Sequence, residues 1–274
     1  MDEPLPLTVR NLLAELDFPV AQGRRRAILE TLADALQPLY ALIVGAGGER
    51  AFAMFHLATR SISDLVASAH LASHAYLQQA YETLRPVHES CDLLELFART
   101  PGEASRWINA EGLGAKFQPS NIRKRIGSPR EKTEMYGHLS EMGTHPRFAG
   151  SRLSGLMRVA KNEPAERQVV LRMGPFFPEH PAAVHIYGFI FEAVIGLGFK
   201  LRHLGEVTEQ ITHDQWADTF LATAEAVASG CKLIREELVE MNAAEDSEFL
   251  DTLYDDLIAA LQPGGRLRLG DSTA

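Results

Sequence analysis

The residues from Val184 to Phe199 are apolar nearly all the way round, with His185 and Glu192 as the main interruptions. A helix without a polar face has to be covered on every side. A membrane span needs roughly 20 apolar residues, and this run has about sixteen. We therefore read it as the buried core helix of a protein in water, around which the remaining segments must pack. The start of the sequence, MDEPLPLTVR, is acidic and contains prolines. It lacks the basic start and apolar run of a secretory leader, so neither a membrane nor secretion is called for and a cytoplasmic location is expected.

The other segments repeat the helical spacing. Ile28, Leu29, Leu32, Leu36 and Leu39 recur at helix intervals after the basic run Arg24-Arg25-Arg26. Long helices are expected at 24–43, 51–73, 74–99, 128–143, 182–204 and 213–242. Shorter ones are expected at 7–16, after Pro101 and at 246–261. Pro38 and Pro86 are possible kinks. The glycines of VGAGGER, 44–50, act as a helix stop; Arg50 stands where a dinucleotide fingerprint would need its third glycine. Ser128, Pro129 and Glu131 have the spacing of a capped helix start. LSGLMRV and RQVVLRM, within 153–174, read as a two-stranded hairpin. The fold class is all-α: a multi-helix bundle with a small β-hairpin insertion. One helical domain covers 1–262, with a basic, loop-rich insertion at 112–128, followed by a flexible tail at 263–274.

Charge is unevenly distributed. Residues 1–115 carry a net −5, 116–172 a net +7 and 204–274 a net −11, within a total of −9. The basic segment 116–172 is the candidate docking place for an anionic partner, or for the acidic C-terminal part of the same chain. Arg123, Lys124 and Arg125 are expected to be exposed there, being too charged to bury. Cys91 and Cys231 lie far apart and outside any CxxC pair, so we read them as reduced thiols packed in helices.

Three polar stripes share helix faces: His56, Arg60, Ser63 and His70; Glu82, Arg85, Glu89 and Asp92; and Arg130, Glu134, His138, Glu141 and His145. Imidazole beside carboxylate can move protons or hold a divalent ion; a solvated charged face is the plainer reading of each stripe. The ExxH of di-iron bundles, the HExxH of zincins, a GxSxG elbow and a P-loop are absent. His213-Asp214 is better read as a helix start than as a metal-binding HD pair. No metal and no cofactor is assigned, and the oligomeric state is left open.

Residues 76–108, YLQQAYETLRPVHESCDLLELFARTPGEASRWI, and the downstream YGHLSEMGTHP, 136–146, resemble a pattern of bacterial helical-bundle proteins. In that pattern Arg-x-x-x-Glu sits in a long helix, and a Y-x-x-L-S-x-x-x-x-H-P signature follows. These proteins are similar to HEPN-like bundles of the abortive-infection and toxin type. Their ribonuclease members carry Arg and His separated by four to six residues. Here Arg85 to His88 is shorter and Arg130 to His138 longer. What the resemblance implies is a polar centre of Arg85, Glu89, Tyr136, Ser140 and His145, with Glu82, His138 and Glu141 as weaker candidates. Arg85 and Glu89 are expected to meet the Tyr136–His145 segment across a helix–helix contact. No catalytic residue is assigned. The function readings, in order, are a regulatory or binding module, a HEPN-like RNA-acting defence or toxin-type protein, and a metal-dependent hydrolase using His138, Glu141 and His145 or His56 and His70.

Overall fold

The computed structural model describes residues 23–43, 48–74, 76–109, 115–127, 136–137, 139, 155–159, 169–173, 181–208, 211–241 and 248–261. The helices are α1 (Arg24–Leu42), α2 (Gly48–Ser73), α3 (Leu77–Arg99), α4 (Gly102–Ile108), α5 (Pro119–Ile126), α6 (Pro181–Thr208), α7 (His213–Glu240) and α8 (Glu248–Leu261). A single 3-10 turn, Ala115–Phe117, precedes α5. The class is all-α. The segments β1 (Gly155–Val159) and β2 (Val169–Met173) run antiparallel, Gly155 opposite Met173. The described core is built from the helical regions. It lends no support to the hairpin insertion expected at 153–174 as a part of that fold.

The apolar run sets the architecture. It lies within α6, which packs against α1, α2, α3 and α7. Val184, Ile186, Tyr187, Ile190, Phe191, Val194, Ile195, Leu197, Leu201 and Leu204 are all buried. Val184–Leu204 is long and apolar enough to cross a membrane by composition alone, but 67 % of the apolar window is buried inside the bundle. Two helical pairs flank it: α2 with α3, joined by three residues, and α1 with α7. The spaced leucines and isoleucine of α1 are its buried face, as the periodicity requires. Pro38 and Pro86 lie inside α1 and α3 without ending either.

Charge locks the α1–α7 pair at one end. Arg24 meets Glu236, Glu237 and Glu240 at 3.6, 3.3 and 2.7 Å, and Arg25 meets Glu237 at 3.3 Å. Arginines at a helix N-terminus and glutamates at a C-terminus each oppose their own helix dipole; joined start to end, they compensate one another. Further along, Thr223 donates to the Ala35 carbonyl at 3.2 Å, deep between the same helices. The start of α7 is fixed by a capping box, in which Thr212 and Gln215 exchange side-chain and backbone bonds. His213 and Asp214 follow it, both exposed, as a helix start rather than a metal pair.

Helix 7–16, most of helix 128–143 with its Ser128 start, the glycines at 44–47 and the tail at 263–274 lie outside the described residues. Cys91 and Cys231 are buried free thiols.

The closest helix approach gives a test. A methyl group on Gly230 would stand 2.3 Å from the Phe191 ring, whereas one on Gly196 would meet nothing within 4 Å. Alanine ordinarily stabilises a helix by up to about 1 kcal/mol over glycine, but overpacking costs about 1–3 kcal/mol. Gly196→Ala should raise the midpoint of urea unfolding and Gly230→Ala should lower it.

Candidate functional site

One face of α3 carries a line of polar residues into the bundle: Arg85, Glu89, Asp92, Glu95 and Arg99. Its first half is the centre the sequence pointed to. Arg85 Nε and Tyr136 Oη both donate to Glu89 Oε1, at 3.0 and 2.7 Å. The Arg85 guanidinium carbon lies 5.0 Å from the Tyr136 ring centroid, and that of Arg123, on α5, only 3.7 Å. Burial first, and then the Glu89 carboxylate, push the Tyr136 phenol above its ordinary value, so this hydroxyl stays a donor at neutral pH. The Arg85 and Glu89 side chains keep 30 % and 28 % of their surface, which leaves the centre within reach of a ligand. The contact expected between Arg85, Glu89 and the Tyr136 segment is therefore present at Tyr136. Glu82 is half-buried one turn earlier on α3. Ser140, His145, His138 and Glu141 lie outside the described residues.

The second half of the line was not foreseen. Glu95 is buried, accepts from Arg99 Nε at 2.7 Å and from Lys200 Nζ, and has His203 Nε2 3.4 Å away. Lys200 and His203 come from α6, where they are one turn apart at the end of its apolar run. His203 above all, with Lys200 and Arg99, holds the Glu95 carboxyl well below its ordinary 4.5 despite the burial that opposes this. Arg99 also donates to the Ile126 carbonyl at the end of α5, at 2.6 Å. Arg50 of α2 closes the end of α3 by donating to the Phe97 and Ala98 carbonyls at 3.0 and 2.9 Å. The signal in the sequence was a lone glutamate set among Leu93, Leu94, Leu96 and Phe97; a charge in such a run demands a partner.

A third carboxylate corrects the reading of the basic segment. Glu103 of α4 is 3 % exposed, and its Oε1 is met by Arg106 at 2.7 Å, Arg125 at 3.1 Å and Lys116 at 3.7 Å. These cations outweigh burial and hold its carboxyl below the ordinary value. Arg125 and Lys116 are exposed, and each also serves as a counter-ion to Glu103, tying α5 and the 3-10 turn to α4. Lys124 is exposed as expected, and Arg123 lies on Tyr136 instead of extending into water.

The stripe His56, Arg60, Ser63 and His70 takes its plain reading over most of its length. His56, Arg60 and Ser63 are exposed; Arg60 pairs loosely with Asp64 at 3.6 Å. His70 turns inward to His74, with ring centroids 4.3 Å apart. Among the described residues, no three His, Cys, Asp or Glu side chains are placed to hold a metal ion. Comparison with known proteins finds no matching family model, no matching curated protein and no matching solved structure.

Two expected outcomes follow from the buried carboxylates. Because the folded value of Glu95 lies below its unfolded value, its contribution to stability is complete above about pH 5 and is lost as the pH falls toward the folded value. Glu95→Gln should cost about 3 kcal/mol at pH 7 and show a shallower acid-side decline; urea melts from pH 7 to pH 3 measure both. In the basic segment, Arg125→Glu should cost about 1–3 kcal/mol by leaving Glu103 under-satisfied. Lys124→Glu should stay within about 0.5 kcal/mol, a contrast that thermal unfolding of the two variants resolves.

Proposed function

We propose that this chain is a regulatory or binding module that takes a small ligand or a partner at the Arg85, Glu89 and Tyr136 centre. Ser140 and His145 are its further candidate members. The observation that carries this reading is the shared oxygen of Glu89. One carboxylate atom accepts from both Arg85 and Tyr136, in a site that still has accessible surface. Tyr136 is held as a donor and Arg85 as a cation, and Glu89 is engaged by both. Such a trio offers hydrogen bonds and charge for recognition. The kinship with HEPN-like bundles, a cytoplasmic location and the hairpin insertion at 153–174 belong to this same reading.

The RNA-acting reading drew on the net +7 of residues 116–172. The commitment of Lys116 and Arg125 to Glu103 reduces the charge there that a polyanion would meet. The metal-dependent hydrolase has no observation of its own among the described residues.

Thermal-shift screening of wild type and Glu89→Gln against nucleotides, phosphorylated metabolites and divalent metals tests the proposal. A stabilising ligand whose shift disappears in Glu89→Gln is expected. Turnover of a substrate that Glu89→Gln abolishes would replace the binding module with an enzyme.

A further inference from the structure

Arg123 stands apart from the other cations of the bundle. Its guanidinium carbon lies 3.7 Å from the Tyr136 ring centroid, a close cation–π contact that restrains the group. Among the described residues it makes no hydrogen bond and no ion pair. Apart from exposed Lys124, the neighbouring described cations are committed: Arg85 to Glu89, Arg99 to Glu95 and the Ile126 carbonyl, and Arg125, Lys116 and Arg106 to Glu103. Glu89 is held by Arg85 and by the Tyr136 hydroxyl on the same oxygen, so the nearest carboxylate is already engaged by other donors. The side chain is half-buried, and its neighbour Lys124 is exposed. The result is a planar fork of donors, restrained in advance and without an acceptor among the described residues.

We infer that Arg123 is the anchor of a binding site for one phosphate monoester group, carried by a small molecule. A guanidinium fork fits two oxygens of a phosphate at once. A phosphate monoester carries a charge of about −1.5 to −2 at neutral pH, so its Coulomb attraction to the Arg123 guanidinium exceeds that of a singly charged carboxylate. A nucleic-acid backbone needs a row of available cations, and here, apart from Lys124, the others are bound to the protein's own carboxylates. The Tyr136 ring restrains the planar guanidinium, and Arg85 lies 5.0 Å from the same ring centroid, so the site adjoins the Glu89 centre. This inference rests on the binding-module reading and names its ligand chemistry.

The test is isothermal titration of the full chain at low salt with inorganic phosphate and phenyl phosphate, using acetate as the control. Saturable one-to-one binding of both phosphates is expected, with acetate at least tenfold weaker. Arg123→Gln should weaken phosphate binding tenfold or more. Arg123→Lys should fall between, since an ammonium cannot offer the fork. Both variants should unfold at the wild-type temperature, because Arg123 makes no ion pair. Absence of saturable phosphate binding overturns the inference, as does Arg123→Gln binding phosphate as wild type does. An RNA oligomer that binds far more tightly than phosphate, with a steep loss in salt, assigns the site to a polyanion and also overturns it. If phosphate fails while a ligand found by thermal shift still depends on Glu89, the binding-module reading survives and only this inference falls. If phosphate binds through Arg123 while Glu89→Gln abolishes a catalytic turnover, the site stands and the binding-module reading falls.

Discussion

The burial of α6 is the constraint from which the rest of the molecule takes its arrangement. A helix apolar on all sides gains nothing from any face turned to water, so α1, α2, α3 and α7 are recruited to enclose it. That enclosure creates a difficulty at Lys200 and His203, which α6 carries into the interior. An ammonium in such a place is costly unless paired. Glu95 on α3 answers it, and Arg99 then ties the same carboxylate to the end of α5. The position of α5, and with it Arg123, is therefore traceable to a charge that α6 could not leave outside.

The three described carboxylates around α3 and α4 divide by how they are surrounded. Glu95 and Glu103 are buried and ringed by cations. They staple helices, and there is little room for a ligand to approach them. Glu89 is different: its partners are one guanidinium and one phenol, and the group keeps accessible surface. Degree of enclosure, rather than residue type, separates charges that hold the fold from charges available to something outside it.

Much of the helical frame was legible because apolar spacing is a local property. The heptad-like leucines of residues 28–39 and the apolar run at 184–199 needed no knowledge of their neighbours. The pairing of Glu89 with Tyr136 was legible through the Arg-x-x-x-Glu and Y-x-x-L-S resemblance, which supplied a long-range relation that periodicity cannot. Arg125 is exposed, as its density of charge in sequence argued, but its pairing with Glu103 of α4 is a tertiary relation that the local pattern does not carry. Glu95 was visible as an anomaly in an apolar run, but its partners lie 105 residues away on α6, beyond any local pattern. Arg123 carried no signal of its own, since what distinguishes it is its place over the Tyr136 ring, a contact between segments that local spacing does not show.

The clamp between Arg24 and Glu237 spans 213 residues of chain. A ribosome extending the chain at about 5–20 residues per second needs roughly ten to forty seconds to traverse that distance. During that interval α1 has neither its apolar face covered by α7 nor its terminal arginines answered by carboxylate, and its own dipole works against those arginines. The first of the described helices thus waits for the seventh before either its apolar face or its terminal arginines are answered.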